Sequence, residues 1–406
     1  MSFIHFDESI NILNSIEINN YKRKKLYLCD ALGYTLAEDI ISTNNSPEFP
    51  TSAMDGYAIK FADQELKRLQ ISSINPAGKE LKDEVEDAKC IKTFTGSLMP
   101  KGSDTLIPIE NVEVDGDYIN INEPVDFGFS VREIGENYIK DQILIKKDTK
   151  IDFAEIGVMA SLNIVSVLVY EKPTVSIIST GSELLELGET QTNSSQIRSS
   201  NNYILEAIVK KYGAIPMQMG CILDDKETIT KSIKEALEQS DIVVTTGGVS
   251  VGDFDFVKDV IREIGCEVLF KGVRVKPGQH IMVARKISQE SDKFIIALPG
   301  FAYSSTVTAL LYLVPLIAKL QKAENPIKRV KAKLLEPFIK RAKKAEFTAC
   351  NYSLVDGKYK IDFKDKKVGS SAILTNMLGN IAILETSEDD KSKSIDDEVN
   401  ILLLKF

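Results

Sequence analysis

Between Pro173 and about Ala323 the chain alternates apolar runs with helical periods, and this alternation limits its fold more than any other feature. The apolar run 174–180, a helical segment near 203–212, the run 216–223, a helix over 226–239, the run 241–246 and a helix from about 254 to 264 follow in order. Parallel strands need long connections, and helices supply them, so this pattern predicts a parallel sheet with crossover helices. Asp224 and Asp225 stand where an N-cap is needed, and Gly213 and Gly265 where helices should stop. Ile229, Ile233, Ala236 and Leu237 recur at helical spacing and predict one core face.

On both sides the pattern shortens. Residues 70–150 carry β-type runs such as 105–109 and 118–121 with Gly and Pro between them, and 330–406 reads as strands near 330–335, 347–354, 359–363, 381–384 and 399–404. The polar stretch 385–398 is expected to be an exposed loop. The fold class that follows is α/β plus β. At ~100–200 residues per domain, a chain of 406 residues has room for about two to four folded units.

Composition removes several function classes. A net charge of −9 and a pI near 5.1 deny the chain the positive field that a nucleic-acid binder needs, so no nucleic-acid partner is expected. The basic runs 22–25 and 340–344 read as solvated faces. Five scattered cysteines without a Cys-x-x-Cys pair read as reduced structural thiols, and two histidines, His5 and His280, leave little material for a histidine metal site or a Ser-His-Asp triad. The start lacks the basic and apolar segments of a secretory signal, and the apolar stretch 305–320 is shorter than the ~20 residues that span a bilayer, so no membrane and a cytoplasmic location are expected.

The strongest chemical signal is the segment 241–255, an apolar strand running into Gly247-Gly-Val-Ser-Val-Gly252 and then a helix. Ligands bind beyond the carboxyl ends of strands in open α/β sheets, and glycines let backbone N–H groups approach an anion. Gly247, Gly248 and Gly252 therefore mark a phosphate or pterin cradle, although a ligand-free glycine turn gives the same pattern. The spacing is neither Gly-x-Gly-x-x-Gly nor a P-loop. A second strand end, Ser179-Thr-Gly-Ser-Glu-Leu184, places Glu183 where it could serve a hard metal ion or cap a helix. Asp224, Asp225 and Asp255 also lie near element ends, and carboxylates at several strand ends of one sheet can converge. Helix capping is the alternative for each. Ser52-Ala-Met-Asp-Gly-Tyr-Ala58 and 93–104 are loops that could touch ligand, the first contributing Asp55 from a lid or forming a structural turn.

Together with Thr95-Gly and Pro100-x-Gly-x-Asp104, Val131-Arg-x-x-Gly-Glu136, Lys276-Pro-Gly278 and Leu298-Pro-Gly300, these motifs resemble, in order and spacing over nearly the whole chain, the MoeA and gephyrin E-domain family. The resemblance implies an elongated linker domain (1–45 and 140–172), a β-rich lid domain (46–139), a three-layer α/β MogA-like domain (173–325) and a C-terminal β-barrel (326–406). It implies a homodimer whose clefts lie between the α/β domain of one subunit and the lid of the other. The implied reaction takes adenylylated molybdopterin, molybdate and Mg2+, cleaves the adenylate and leaves molybdenum on the dithiolene. A molybdopterin adenylyltransferase would be the donor, and molybdenum enzymes or chaperones the acceptors.

Carried over by position, Asp55 and Thr95 come from the lid, while Glu183, Asp224 and Asp255 form the acidic Mg2+-facing side and share the catalytic role. Lys276 and Ser304 hold oxyanions, and Gly247, Gly248, Ser250 and Gly252 cradle phosphate or pterin. The chain departs from the family pattern at Asn137, at Gln279-His280 in place of Lys-Pro, at Phe301 in 299–304, and at Arg198-Ser-Ser-Asn201. Losing the lysine at 279 weakens dianion binding, and Arg198, Arg274 or His280 are the nearby groups that could compensate. The alternative is a paralogue that binds a cofactor intermediate or partner protein without turnover.

Overall fold

The computed structural model describes residues 3–79, 82–248, 256–288 and 291–404. They form two compact units, one from 1–37, 148–152 and 166–406 and the other from 38–147 and 153–165.

The larger unit holds the predicted α/β domain. Its sheet orders the strands Ile215–Ile222, Thr174–Thr180, Ile242–Thr246, Lys293–Leu298, Met282–Lys286 and Glu267–Lys271. The first four are parallel, and the last two join antiparallel. Alternate residues of a strand face opposite ways, and here the two faces meet different helices. Ile242 and Val244 pack with Leu205 and Val209 of the helix Asn201–Lys211, whereas Val243 packs with Ile229 and Ile233 of Lys226–Gln239 and with Val260 of Val257–Glu263. That is why the strands read as continuous apolar runs: both faces are covered, giving three layers.

The predicted helix 226–239 has those bounds, and Ile229, Ile233, Ala236 and Leu237 are all buried. Its N-cap is Asp225, whose carboxylate accepts from the Thr228 N–H at 2.8 Å. Gly213 and Gly265 follow helices with φ of 80° and 78°, the left-handed conformation that ends them. The helices expected near 203–212 and from 254 are shifted slightly, to Asn201–Lys211 and Val257–Glu263.

From residue 328 five strands close on themselves. Ala345–Val355 pairs with both Lys358–Asp362 and Ile381–Thr386, and the ring continues through Glu398–Leu403 and Lys328–Leu334 back to Lys358–Asp362. Closure leaves no edge strand in the ring, and Leu334, Cys350, Ile361, Leu384 and Ile401 fill its interior. The short strand Val275–Lys276 adds to Ala345–Val355 and ties the barrel to the α/β domain, setting Lys276 opposite Glu346.

The smaller unit contains a six-stranded sheet in the order Thr105–Pro108, Gly56–Ile59, Lys89–Thr93, Arg68–Asn75, Tyr118–Ile121 and Val112–Asp115, over a core of Tyr57, Ile59, Leu69, Cys90, Ile107 and Ile119. All five cysteines are free thiols, but Cys29 is exposed and does not serve a core, contrary to expectation.

The apolar stretch expected to be too short for a bilayer belongs to a longer helical run, Ala302–Leu320, whose 19 residues pass by length and composition, alone among the described residues. It is 83% buried within the protein, so its apolarity serves the core. Tyr312 within it bonds Ser9 at 2.8 Å and is packed between layers.

Ile177 lies fully buried in the central sheet, and Leu354 lies at the surface of the barrel. Ile177→Ala is expected to cost about 2–5 kcal/mol and Leu354→Ala less than about 0.5 kcal/mol in denaturant unfolding.

Candidate functional site

The parallel register brings four strand ends to one edge. Thr180 pairs with Ile222, Ser179 with Thr246, and Thr246 with Leu298, so the segments that follow emerge side by side. They carry Glu183, Asp224, Gly247-Gly248 and the 299–301 turn that leads into the helix bearing Ser304. Beneath them Ser179 donates to Asn202 Oδ1 at 2.5 Å and bonds Thr246 at 2.8 Å, a buried polar layer under the site.

Gly247 and Gly248 have φ of 88° and 67°. A Cβ on Gly247 would lie 2.7 Å from the Thr180 carbonyl oxygen, and one on Gly248 would lie 2.6 Å from Val257 Cγ2. Neither position has room for a side chain. The Thr180 hydroxyl below Gly247 is buried and has no hydrogen-bond partner among the described residues, nor has Asn201 Oδ1, whose amide nitrogen donates to the Gly300 carbonyl at 2.7 Å. Orphaned polar atoms under a glycine turn fit a polar ligand or water there. Ser250, Gly252 and Asp255 lie outside the described residues.

Glu183 is exposed in the turn after Thr174–Thr180, and Asp224 is half-buried in the turn before Lys226–Gln239. Capping falls to Asp225, so it does not account for Asp224. Among the described residues no three His, Cys, Asp or Glu side chains gather as a ready metal cage. Two carboxylates on neighbouring strand ends still suit Mg2+, which takes one or two carboxylates and completes its shell with water and phosphate oxygens. Glu186 organises this edge without having been singled out in the sequence: it accepts from the Cys221 N–H at 2.8 Å, Asn202 at 3.2 Å and the Tyr203 hydroxyl at 2.9 Å. Burial works against its charge, but these donors prevail and hold it below the usual carboxylate range. Burial pushes the adjacent Cys221 thiol up to about 11, which makes it a poor nucleophile near neutral pH.

Beside the glycine turn opens a cavity of about 390 Å³, lined by Lys276, Gln279, Ser304, Arg341, Lys344 and Glu346 among others. Lys276 Nζ is 3.7 Å from Glu346 Oε1, and the buried Ser304 hydroxyl donates to the Ser371 carbonyl at 3.3 Å. Gly278 has φ of 96°, and a Cβ there would meet Thr308 Cγ2 at 2.2 Å. A Cβ on Gly369 would strike the Arg341 guanidinium at 1.8 Å, so glycine lets that arginine lie across the barrel loop. The run 340–344 is therefore not simply a solvated face: Arg341 and Lys344 line the cavity. The run 22–25 is also engaged, through a Lys22–Asp241 ion pair at 2.7 Å and Arg23 beside the Tyr170 ring.

In the smaller unit, Asp55 sits in the turn between Thr51–Ser52 and Gly56–Ile59 and accepts from both the Thr95 N–H at 2.8 Å and the Thr95 hydroxyl at 2.7 Å. The sheet forces glycine next to it, because a Cβ on Gly56 would be 2.3 Å from the Ile107 carbonyl oxygen. The backbone bond, then the hydroxyl bond, hold Asp55 below its ordinary pKa against slight desolvation, with Lys92 adding attraction. The two predicted lid residues thus form one exposed, hydrogen-bonded pair.

This architecture is a three-layer α/β domain joined to a β-barrel, with carboxylates and a glycine turn at its strand ends and a cation-lined cavity beside them. Residues 4–163 match the MoeA N-terminal region (domain I and II), and 176–319 match a probable molybdopterin binding domain. A molybdopterin molybdenumtransferase from Nostoc is 30% identical over 86% of this chain and 80% of its own length, and one from Haemophilus influenzae is 33% identical over 73% and 72%. Crystal structures of a molybdopterin biosynthesis MoeA protein from Pyrococcus horikoshii superpose with TM-scores of 0.83 and 0.81 at 25% and 28% identity, covering 100% and 99% of this chain and 100% of each of those chains. The chain belongs to the molybdopterin molybdenumtransferase family, the transferases of molybdenum cofactor biosynthesis.

Two outcomes follow from the local geometry. Because the folded pKa of Asp55 is depressed, its stabilising effect is fully present above the unfolded value of ~3.9 and is lost as pH falls through the folded value. Thr95→Val should raise the folded pKa toward ~3.9 while leaving the backbone bond, as read by carboxyl NMR titration. Gly278→Ala, strained in φ and blocked by Thr308, should lose upwards of about 1 kcal/mol in thermal or denaturant unfolding.

Proposed function

We propose that the chain inserts molybdenum from molybdate into adenylylated molybdopterin with Mg2+-dependent release of AMP. The observation that carries this reading is the cavity beside the glycine turn, where Lys276, Arg341 and Lys344 face one carboxylate, Glu346. A surplus of cations in a partly enclosed, low-dielectric space suits a tetrahedral dianion. The glycine turn adjoins it, since a Cβ on Gly300 would be 3.8 Å from the Gly247 Cα.

In this reading backbone donors of the 247–252 segment, with Ser250 within it, cradle phosphate or pterin, and Lys276 and Ser304 hold molybdate oxygens. Glu183, Asp224 and Asp255 would hold Mg2+, which when bound offsets phosphate charge. The chain's own donors bind the remaining oxygens and keep the adenylate and the oxyanion adjacent. Asp55, kept ionised by Thr95, serves from the lid as a fixed negative group that orients donors on the substrate. The working form is a homodimer in the cytoplasm, with a molybdopterin adenylyltransferase as donor and molybdenum enzymes or chaperones as acceptors.

AMP release from adenylylated molybdopterin by the purified protein tests the reading. Release should require both molybdate and Mg2+, and Asp55→Ala or Glu183→Gln should lower it at least about a hundredfold with the fold intact. Binding without release under all conditions would replace the enzyme with a ligand-holding paralogue.

A further inference from the structure

The charges in the cavity do not balance, and one cation stands apart. Lys276 is opposite Glu346 in the strand pairing and forms the ion pair seen there among the described residues. Arg341 is fixed by donating to the Val368 carbonyl at 2.5 Å and through its own N–H to Glu346 at 3.0 Å. Lys344 meets no carboxylate within ion-pair distance among the described residues; its Nζ donates to the side-chain oxygen of Gln279. That amide is clamped at its other end, where its nitrogen lies 2.8 Å from His280 Nε2, and the His280 ring stands edge-on to Phe3 at 5.4 Å. An amide oxygen orients an ammonium group but leaves its full charge in place. Lys344 is thereby half-buried, directed and unneutralised in a cavity whose other lysine is paired.

We propose that Lys344 is a binding residue for the tetrahedral oxyanion, held in place by Gln279 as its positioning residue. This rests on the cavity being the molybdate site. The ends of the Gln279 and Lys344 side chains meet, so a lysine at 279 would deliver its ammonium to nearly the same point. The pair is thus interchangeable in charge, with the residue just before the barrel strand Ala345–Val355 supplying the cation that Gln279 does not.

The test is molybdate binding to the full-length protein by calorimetry, with circular dichroism to check folding. Lys344→Met should weaken binding about 10- to 100-fold, the range of a lost charge-assisted hydrogen bond, and adding Gln279→Lys should restore it to within about threefold. A merely structural role for Lys344 would not be rescued in this way, so failure of the folded double variant to recover overturns the proposal. If Lys276→Met weakens binding but Lys344→Met does not, the cavity reading stands and Lys344 is excluded. If the unaltered protein binds no molybdate, the cavity reading fails and the proposal fails with it.

Discussion

The parallel pairing of Thr174–Thr180 with Ile215–Ile222 and Ile242–Thr246, and of the latter with Lys293–Leu298, is the constraint on which the site depends. Parallel strands in register must end together, so segments separated by more than a hundred residues emerge at one edge whatever their own sequences prefer. Burial on both faces then fixes the register, because slipping one strand by a residue would exchange every side chain between the two helical layers. The acids, the glycine turn and the 299–301 turn inherit their positions from that pairing, and none has to build its own platform.

The second constraint is the close approach of backbone at a few glycines. Gly247 and Gly248 lie against Thr180 and Val257, and Gly278 lies against Thr308. At these points the wall of the site is main chain with no room for a side chain, and the Gly247 N–H itself donates to the Leu298 carbonyl at 3.2 Å. The long helix starting at Ala302 completes the arrangement: Ser304 faces the cavity while most of the next sixteen residues are buried in the core. The same apolar run that composition would admit to a membrane is what holds the strand-end turn rigid.

Much of this was legible in the sequence because its signals are local. The bounds of Lys226–Gln239, its buried face, the stops at Gly213 and Gly265 and the strand ends bearing Glu183, Asp224 and Gly247 all follow from periodicity and turn chemistry within a few residues. What escaped depends on distant partners. The run 340–344 looks like any solvated basic stretch until barrel closure and the pairing of Val275–Lys276 with Ala345–Val355 carry Arg341 and Lys344 to the cavity. Glu186 looks like a loop acid until Cys221, Asn202 and Tyr203 converge on it. Which of Asp224 and Asp225 caps the helix is likewise set by the tertiary fold, since adjacent aspartates are equivalent as caps in sequence and only Asp225 accepts the Thr228 N–H.

The buried Glu346 explains why so many cations can share the cavity. Three positive groups in a partly desolvated space repel one another, and without a counter-charge the empty site would resist assembly. Glu346 relieves that repulsion through both its ion pair with Lys276 and its bond from the Arg341 N–H, yet leaves a net charge near +2. A dianion entering the cavity would meet groups already oriented and would supply the missing negative charge, so the electrostatic cost of gathering the cations is offset at the moment of binding. A monoanion would leave part of that surplus uncompensated, and a neutral ligand all of it. The incomplete balance of three cations by one carboxylate would therefore favour a doubly charged anion over a singly charged or neutral ligand.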